Sequence, residues 1–198
     1  PKSSFALAYG LHSRMEKMDV YFVKTQGTGD RSVNKDLGFT RAHHVMLSYG
    51  FKISDNMNMK IEPYFQQLYD VPVIADSSYS VLNRRDFYVE NALVNRGKGR
   101  NIGVDITLER YLNKGLYYMV TASIFDSKYY GGDRKWRNTL YNRNFIVNVL
   151  GGKEWMVGRD RQNMFSVNFK ITLQGGDRYA PVDEVATLLD PDREVQYD

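Results

Sequence analysis

The sequence predicts an all-β chain: a transmembrane up-and-down antiparallel β-barrel, present here as an open segment of about seven strands. Three observations predict it. Apolar and polar residues alternate with period two through seven stretches. Those stretches run near the ~9–11 residues that a tilted membrane-spanning strand needs, above the ~5–6 usual in globular sheets. The connections between them alternate strictly, one long and polar, the next short. Short turns at one end and long loops at the other are the pattern of an outer-membrane barrel.

Residues 4–12 set Phe5, Leu7, Tyr9 and Leu11 against small partners. Residues 42–52 set His43, Val45, Leu47, Tyr49 and Phe51 against Ala42, His44, Met46, Ser48 and Gly50. In 57–69, Met57, Met59, Ile61, Pro63 and Phe65 face away from Lys60, Glu62 and Tyr64, and Pro63, which has no N–H, is expected to bulge or weaken the ladder. Residues 100–111 carry Ile102, Val104, Ile106 and Leu108 opposite Asn101, Gly103, Asp105, Thr107 and Glu109. Residues 116–126 alternate Leu116, Tyr118, Val120, Ala122 and Ile124 with Tyr117, Met119, Thr121, Ser123 and Phe125. In 144–156, Phe145, Val147, Val149 and Trp155 share a parity, and in 164–174 Phe165, Val167, Phe169, Ile171 and Leu173 alternate with Ser166, Asn168, Lys170, Thr172 and Gln174. Short turns are expected at Ser54-Asp55-Asn56, Asn113-Lys114-Gly115 and 158–163. The apolar parity carries no charge in mid-strand, which suits lipid, and the other parity suits a wet lumen. Tyr49, Phe51, Tyr118 and Trp155 are then expected to form an aromatic girdle near the short turns. A soluble β-sandwich would show the same alternation, one face in a core and one in water.

Composition narrows the function classes. With 27 Lys and Arg against 23 Asp and Glu, the net charge is +4, and bases are interleaved with acids, as in Arg159-Asp160-Arg161. No nucleic acid partner is expected without a basic stripe to neutralise phosphates. There is no cysteine, which removes disulfides, thiolate metal sites and thiol catalysis. No enzyme activity is expected, because Glu62, Asp105 and Glu109 read as a solvated network beside Lys60 and Lys170 rather than as a nucleophile with its base. No cofactor is expected either: Gly97, Gly99 and Gly103 are misspaced for a dinucleotide loop and read as a loop returning into a strand. No metal is assigned; His12 and His44 share the lumen parity and are the candidates for one. The long connections carry the better candidates for recognition. Tyr21, Tyr79, Tyr129 and Trp136, with Phe22, Phe87 and Tyr88, offer ring faces, and Arg84, Arg85, Arg134 and Arg137 offer donors for a ligand such as a sugar or peptide. The same rings could instead hold the loops together.

One series of motifs goes further. Tyr9-Gly10-Leu11-His12-Ser13 followed by Val20-Tyr21-Phe22, Ala42-His43-His44, the run 64–73 (YFQQLYDVPV), the run 97–105 (GKGRNIGVD), Thr107-Leu108-Glu109-Arg110, the run 122–129 (ASIFDSKY), Asn144-Phe145 and Gly152-Lys153-Glu154 stand in this order along nearly the whole chain. Together they resemble the barrel of TonB-dependent outer-membrane receptors of the Bacteroidetes type, in particular those with an N-terminal carboxypeptidase-like regulatory domain. The resemblance implies residence in the bacterial outer membrane, contact with outer-membrane lipid, uptake of an extracellular nutrient ligand, and energy from the TonB complex delivered through a plug domain. It also implies that residues 1–198 are a single late section of a larger barrel, with signal peptide, TonB box, plug and closing strands outside it. A passive porin is the other membrane reading, and a carbohydrate-binding or adhesive sandwich the soluble one.

Overall fold

The computed structural model describes residues 2–24, 31–84, 89–179, 182 and 184–189. Its elements are β1 (Ser3–Arg14), α1 (Met18–Tyr21), β2 (Thr40–Ser54), β3 (Met57–Val73), a 3-10 turn (Val81–Asn83), β4 (Val94–Asn113), β5 (Leu116–Tyr130), β6 (Trp136–Asn138), β7 (Phe145–Val157), β8 (Asn163–Gln174) and α2 (Glu184–Leu189). All strands belong to one antiparallel sheet of order β1-β2-β3-β4-β5-β7-β8, with β6 paired to β5 alone. The seven expected strands are all present, most of them a few residues longer than their alternating cores. The sheet is open: β1 and β8 are its two edges and do not pair with each other.

The period-two pattern becomes two faces once the register is fixed, because residues directly opposite in a ladder share a face. One row links Phe5, Tyr49, Ile61, Ile106, Ala122, Val147 and Leu173 across all seven long strands. The next links Phe51, Met59, Leu108, Val120, Val149 and Ile171. This face is apolar, and no second layer covers it among the described residues. Ile102 and Ile124 stay 48% and 57% exposed on strands paired on both sides. The opposite face is polar: Ser48, Glu62, Asp105 and Ser123 lie at one level, and Lys60, Thr107, Thr121, Asn148 and Thr172 at another.

The rows do not run parallel to the apolar band. The row through Ala8 passes Met46, Tyr64, Gly103 and Phe125. Continuing the β5–β7 register by one residue and the β7–β8 register by two carries it to Asn144 and Gly176. Ala8 is the centre of the apolar run on β1, whereas the centre on β8 is Phe169. Between the two edges the band therefore slips by 176 − 169 = 7 residues along the strands.

Local chemistry explains the ends of the strands. The β4–β5 hairpin turns on Lys114 and Gly115, both at positive φ (50° and 73°), the twisted two-residue geometry that glycine allows. The β2–β3 ladder shifts register at Lys52/Ser54, β3–β4 at Leu68/Val71 and Val71/Pro72, and β4–β5 at Arg110/Asn113. Pro63 weakens the ladder, as expected, without bulging it. It pairs with Val104 in unbroken register on β4, while on the β2 side pairing lapses between Met46↔Tyr64 and Tyr49↔Ile61 and resumes in the same register. Gly97 and Gly99 also depart from expectation: they lie inside β4, which starts at Val94, not in a loop. Val71 and Val73 fill the space at Gly97, and Leu68 and Leu82 the space at Gly99. β6 escapes an alternation test because it has three residues.

Gly103 gives a test of this close fit. A Cβ there would stand 2.6 Å from the Tyr64 hydroxyl and 2.8 Å from the Ile124 carbonyl. We expect Gly103→Val to destabilise the sheet by about 1–3 kcal/mol through overpacking, read as a lower denaturation midpoint of the protein. Gly176→Ala, with open space around it, should leave the midpoint unchanged.

Candidate functional site

Strand order places the short turns at one end of the sheet and the long connections at the other. The long connections fold together. Val20, Val23, Val89 and Leu93 form a buried cluster, with Val33, Leu37, Ile74, Tyr79 and Val81 packed against it. The fully buried Asn34 ties the first two loops: its Nδ2 donates to the Asn91 carbonyl (3.0 Å) and its Oδ1 accepts from Leu93 N (2.8 Å). The third loop joins them where Asp133 N donates to the Ser77 carbonyl (3.1 Å) and Leu140 N to Asn83 Oδ1 (2.6 Å). Residues after β8 complete the layer: Arg178 Nε donates to the Asn142 carbonyl (3.0 Å), and Arg143 pairs with Asp177 (2.6 Å).

Below the loops, the polar face carries a belt of hydrogen-bonding side chains. Gly10, His44, Gln66, Asn101 and Ser127 are direct ladder neighbours on five strands. Asn101 Nδ2 donates to Gln66 Oε1 (2.7 Å), Ser127 Oγ to Asn101 Oδ1 (2.7 Å), and Thr139 Oγ1 to Ser127 Oγ (3.0 Å). The His44 ring stands edge-on to Tyr64 at 6.5 Å and tilted to His12 at 6.4 Å. Each member donates, accepts or stacks within the belt, so the polar face presents a continuous row of directed side-chain contacts here. Nearer the turns, Ser123 Oγ donates to Asp105 (2.5 Å), and Lys60 pairs with Glu62 (2.8 Å). A depression of about 420 Å³ opens there between Gly50, Lys60, Thr107, Glu109 and Tyr111.

The loop residues expected to recognise a ligand do not converge. Tyr21 is half-buried and its hydroxyl accepts from Glu16 N (3.3 Å). Tyr79 belongs to the loop core, and Tyr129, 5% exposed, lies on the polar face beneath it. Arg84 is held near Asp19 (3.8 Å). Arg134 sits exposed at a tight turn with φ 63°. Trp136 and Tyr130 lie on the apolar face of the sheet, since Tyr130 pairs with Lys98, two residues from Arg100 and four from Ile102 on that same face. Phe22 is exposed, and Arg85, Phe87 and Tyr88 lie outside the described residues. His12 and His44 do share the polar face, with His12 folded over Gly10, while His43 faces the opposite way and accepts from or donates to the Tyr9 hydroxyl at 2.9 Å. Among the described residues no group of three or more His, Asp or Glu side chains stands close enough to hold a metal ion. Parity alone could have found Gln66, Asn101 and Ser127 as polar-face residues, but only the register brings them into line.

No family model matches the chain, and no curated protein matches it.

The third loop contains a titrating clasp. Asp133 receives two bonds from Arg137, Nη1 at 3.0 Å and Nη2 at 2.8 Å, and one from Lys135 N at 3.3 Å. Chiefly the Arg137 hydrogen bonds hold its carboxyl below the usual aspartate value of 3.8, against a smaller opposing effect of burial. A depressed carboxylate contributes stability that is complete above the unfolded value and lost as pH falls through the folded one. Protease nicking of this loop should therefore stay constant down to about pH 4 and rise below it. Asp133→Asn should be nicked faster at neutral pH and show a flatter rise on acidification.

Proposed function

We propose that this sheet is a section of a transmembrane β-barrel of the bacterial outer membrane, its apolar face towards lipid and its polar face lining the lumen. The slip of the apolar band across the sheet carries this reading. Seven residues at ~3.3 Å are about 23 Å, and six strand-to-strand steps at ~4.8 Å are about 29 Å, so the strands cross a level band at about 39°. Membrane barrels tilt their strands by ~35–45°. On β4 the band spans the ten-residue interval between Arg100 and Arg110, about 33 Å along the strand and about 26 Å along the tilted normal. The apolar belt of such barrels is ~25 Å tall. A sandwich would need a second sheet on the apolar face and would have no reason to keep a band of that height at that angle.

The open edges support the same reading. Lipid offers no partners for backbone groups, so β1 and β8 would be paired by further strands of the same barrel. Phe51, Tyr118 and Trp155 lie on the apolar face towards the short turns, with Trp155 against Phe165 at 5.7 Å, while Tyr49, against Phe51 at 5.7 Å, shares that face on the mid-strand row of Ile61 and Ile106. An interfacial aromatic girdle would occupy that place. Within barrels, the motif series that resembles TonB-dependent receptors favours a nutrient importer. In that role the His44–Gln66–Asn101–Ser127 belt beneath the interlocked loops would receive the ligand.

A pair of substitutions tests the faces in the full-length protein. Ile106 and Thr107 are neighbours in mid-β4 on opposite faces. Ile106→Arg should cost about 2–4 kcal/mol of stability in the bilayer, while Thr107→Arg, in water and opposite a Lys60 already neutralised by Glu62, should cost under about 1 kcal/mol. Refolding into phosphatidylcholine vesicles measures both, and equal losses would reject a lipid-facing side. Import is tested separately: uptake by intact cells should stop when a protonophore removes the energy supply, whereas a passive porin would continue to conduct.

A further inference from the structure

On the apolar face, between the apolar band and the loop layer, lies a strip of cations and aromatic rings. Arg41 is the ladder partner of Tyr69, Lys98 of Tyr130, and Arg100 of Lys128. β6 sets Trp136 beside Tyr130, ring centres 5.4 Å apart. Lys98 Nζ stands 5.7 Å from the Tyr130 ring centre, and Arg100 Cζ 5.5 Å from that of Trp136. Lys128 pairs with Asp126 at 3.4 Å. Among the described residues, Arg41, Lys98 and Arg100 lie within ion-pair distance of no carboxylate, and the buried Arg100 Nε has no hydrogen-bond acceptor.

A guanidinium fixed over an indole, with a donor sheltered from water and unmatched, lacks an anion. The rings hold the cations in place but satisfy none of their N–H groups. Immediately below the strip come Ile102 and Ile124, exposed and apolar. An occupant that meets both surfaces has an anionic head and hydrocarbon tails.

We propose that the Lys98–Arg100–Trp136 strip binds the phosphate of an anionic lipid of the surrounding leaflet, its acyl chains lying on Ile102 and Ile124. The inference rests on the barrel reading, which turns this face to lipid. Phosphate fits because its oxygens accept from guanidinium and ammonium donors together. Free phosphate offers the same chemistry but nothing to cover the apolar residues beneath. A site for a soluble anionic ligand would instead be expected on the polar face, where Lys60 is already matched by Glu62.

The test uses the full-length protein in phosphatidylcholine vesicles, with and without admixed phosphatidic acid, and native mass spectrometry to count the lipid it retains. Phosphatidic acid should be retained preferentially. Lys98→Gln with Arg100→Gln should weaken that retention about 30-fold, from two cations at a charged surface, with phosphatidylcholine retention unchanged. Lys60→Gln, on the polar face, should alter neither. Undiminished retention of phosphatidic acid by the double variant would overturn the proposal. Displacement of the lipid by inorganic phosphate at equal concentration would also overturn it, by identifying a free-phosphate site. Failure to insert into pure phosphatidylcholine would overturn the barrel reading and this inference with it. Insertion with no preference for phosphatidic acid would overturn this inference alone.

Discussion

Backbone hydrogen bonding in this sheet runs only sideways, from each strand to its two neighbours, and the rest of the structure depends on that. Lateral pairing fixes the register, and the register decides which side chains share a face. A shift of one residue on any long strand would move its apolar set to the polar face and its charges to the apolar one. The registers that exist avoid this over seven strands, although they contain bulges at Lys52/Ser54, Leu68/Val71, Val71/Pro72 and Arg110/Asn113. All four lie towards the ends of their strands. The centre, where the faces matter most, pairs without a shift, and Pro63 is accommodated there with its register intact.

The loop layer follows from the same arrangement. An up-and-down sheet brings every second connection to one end, so three long loops and the segment after β8 are forced into proximity. Their polar backbone has to be satisfied wherever it is buried, and Asn side chains do much of this. Asn34, Asn83 and Asn95 each bridge segments distant in sequence: Asn95 links Gly38 to Asp70, and Asn83 accepts from Leu140 N. An amide donates and accepts at once, so one side chain can close two loops. The layer this produces is positioned rather than draped, and it stands directly above the His44–Gln66–Asn101–Ser127 belt.

Much of the fold was legible in the sequence because alternation is a local property. Phe165, Val167, Phe169, Ile171 and Leu173 declare a strand without reference to anything else in the chain. Lys114-Gly115 declares a turn for a similar reason, since few dipeptides accept two positive φ values. What depended on distant partners was not legible. Gly97 and Gly99 looked like loop glycines, yet they sit in a strand because Val71, Val73 and Leu82 occupy the places of their side chains. Trp136 looked like a member of a recognition loop, but three residues of pairing with β5 turn it to the apolar face. The polar belt could not be foreseen from spacing, because its members come from four strands and the level they share is set by summed registers.

The slip of the band adds a constraint that neither alternation nor loop length contains. Alternation says that each strand has two faces, and a sandwich strand satisfies it equally. Strand length says that each could cross a membrane. Only the relation between strands says at what angle, and here the angle comes from register sums and the positions of the apolar runs alone. An apolar band climbing seven residues across seven strands is level only if the strands lean by about 39°, and on β4 that lean brings the distance from Arg100 to Arg110 to about 26 Å. Two quantities that could have disagreed, an angle and a height, meet the dimensions of a bilayer together. The charges largely agree with them: Arg100, Asp126 and Lys128 lie on the apolar face at its loop margin and Arg110 at its turn margin, while Lys153, set between Leu116 and Val167, carries its ammonium to the Lys114 carbonyl in the turn (2.7 Å). A strand in a globular core is under no such pressure to confine its charges to two levels, so the placement of these five side chains weighs for lipid rather than a second protein layer against this face.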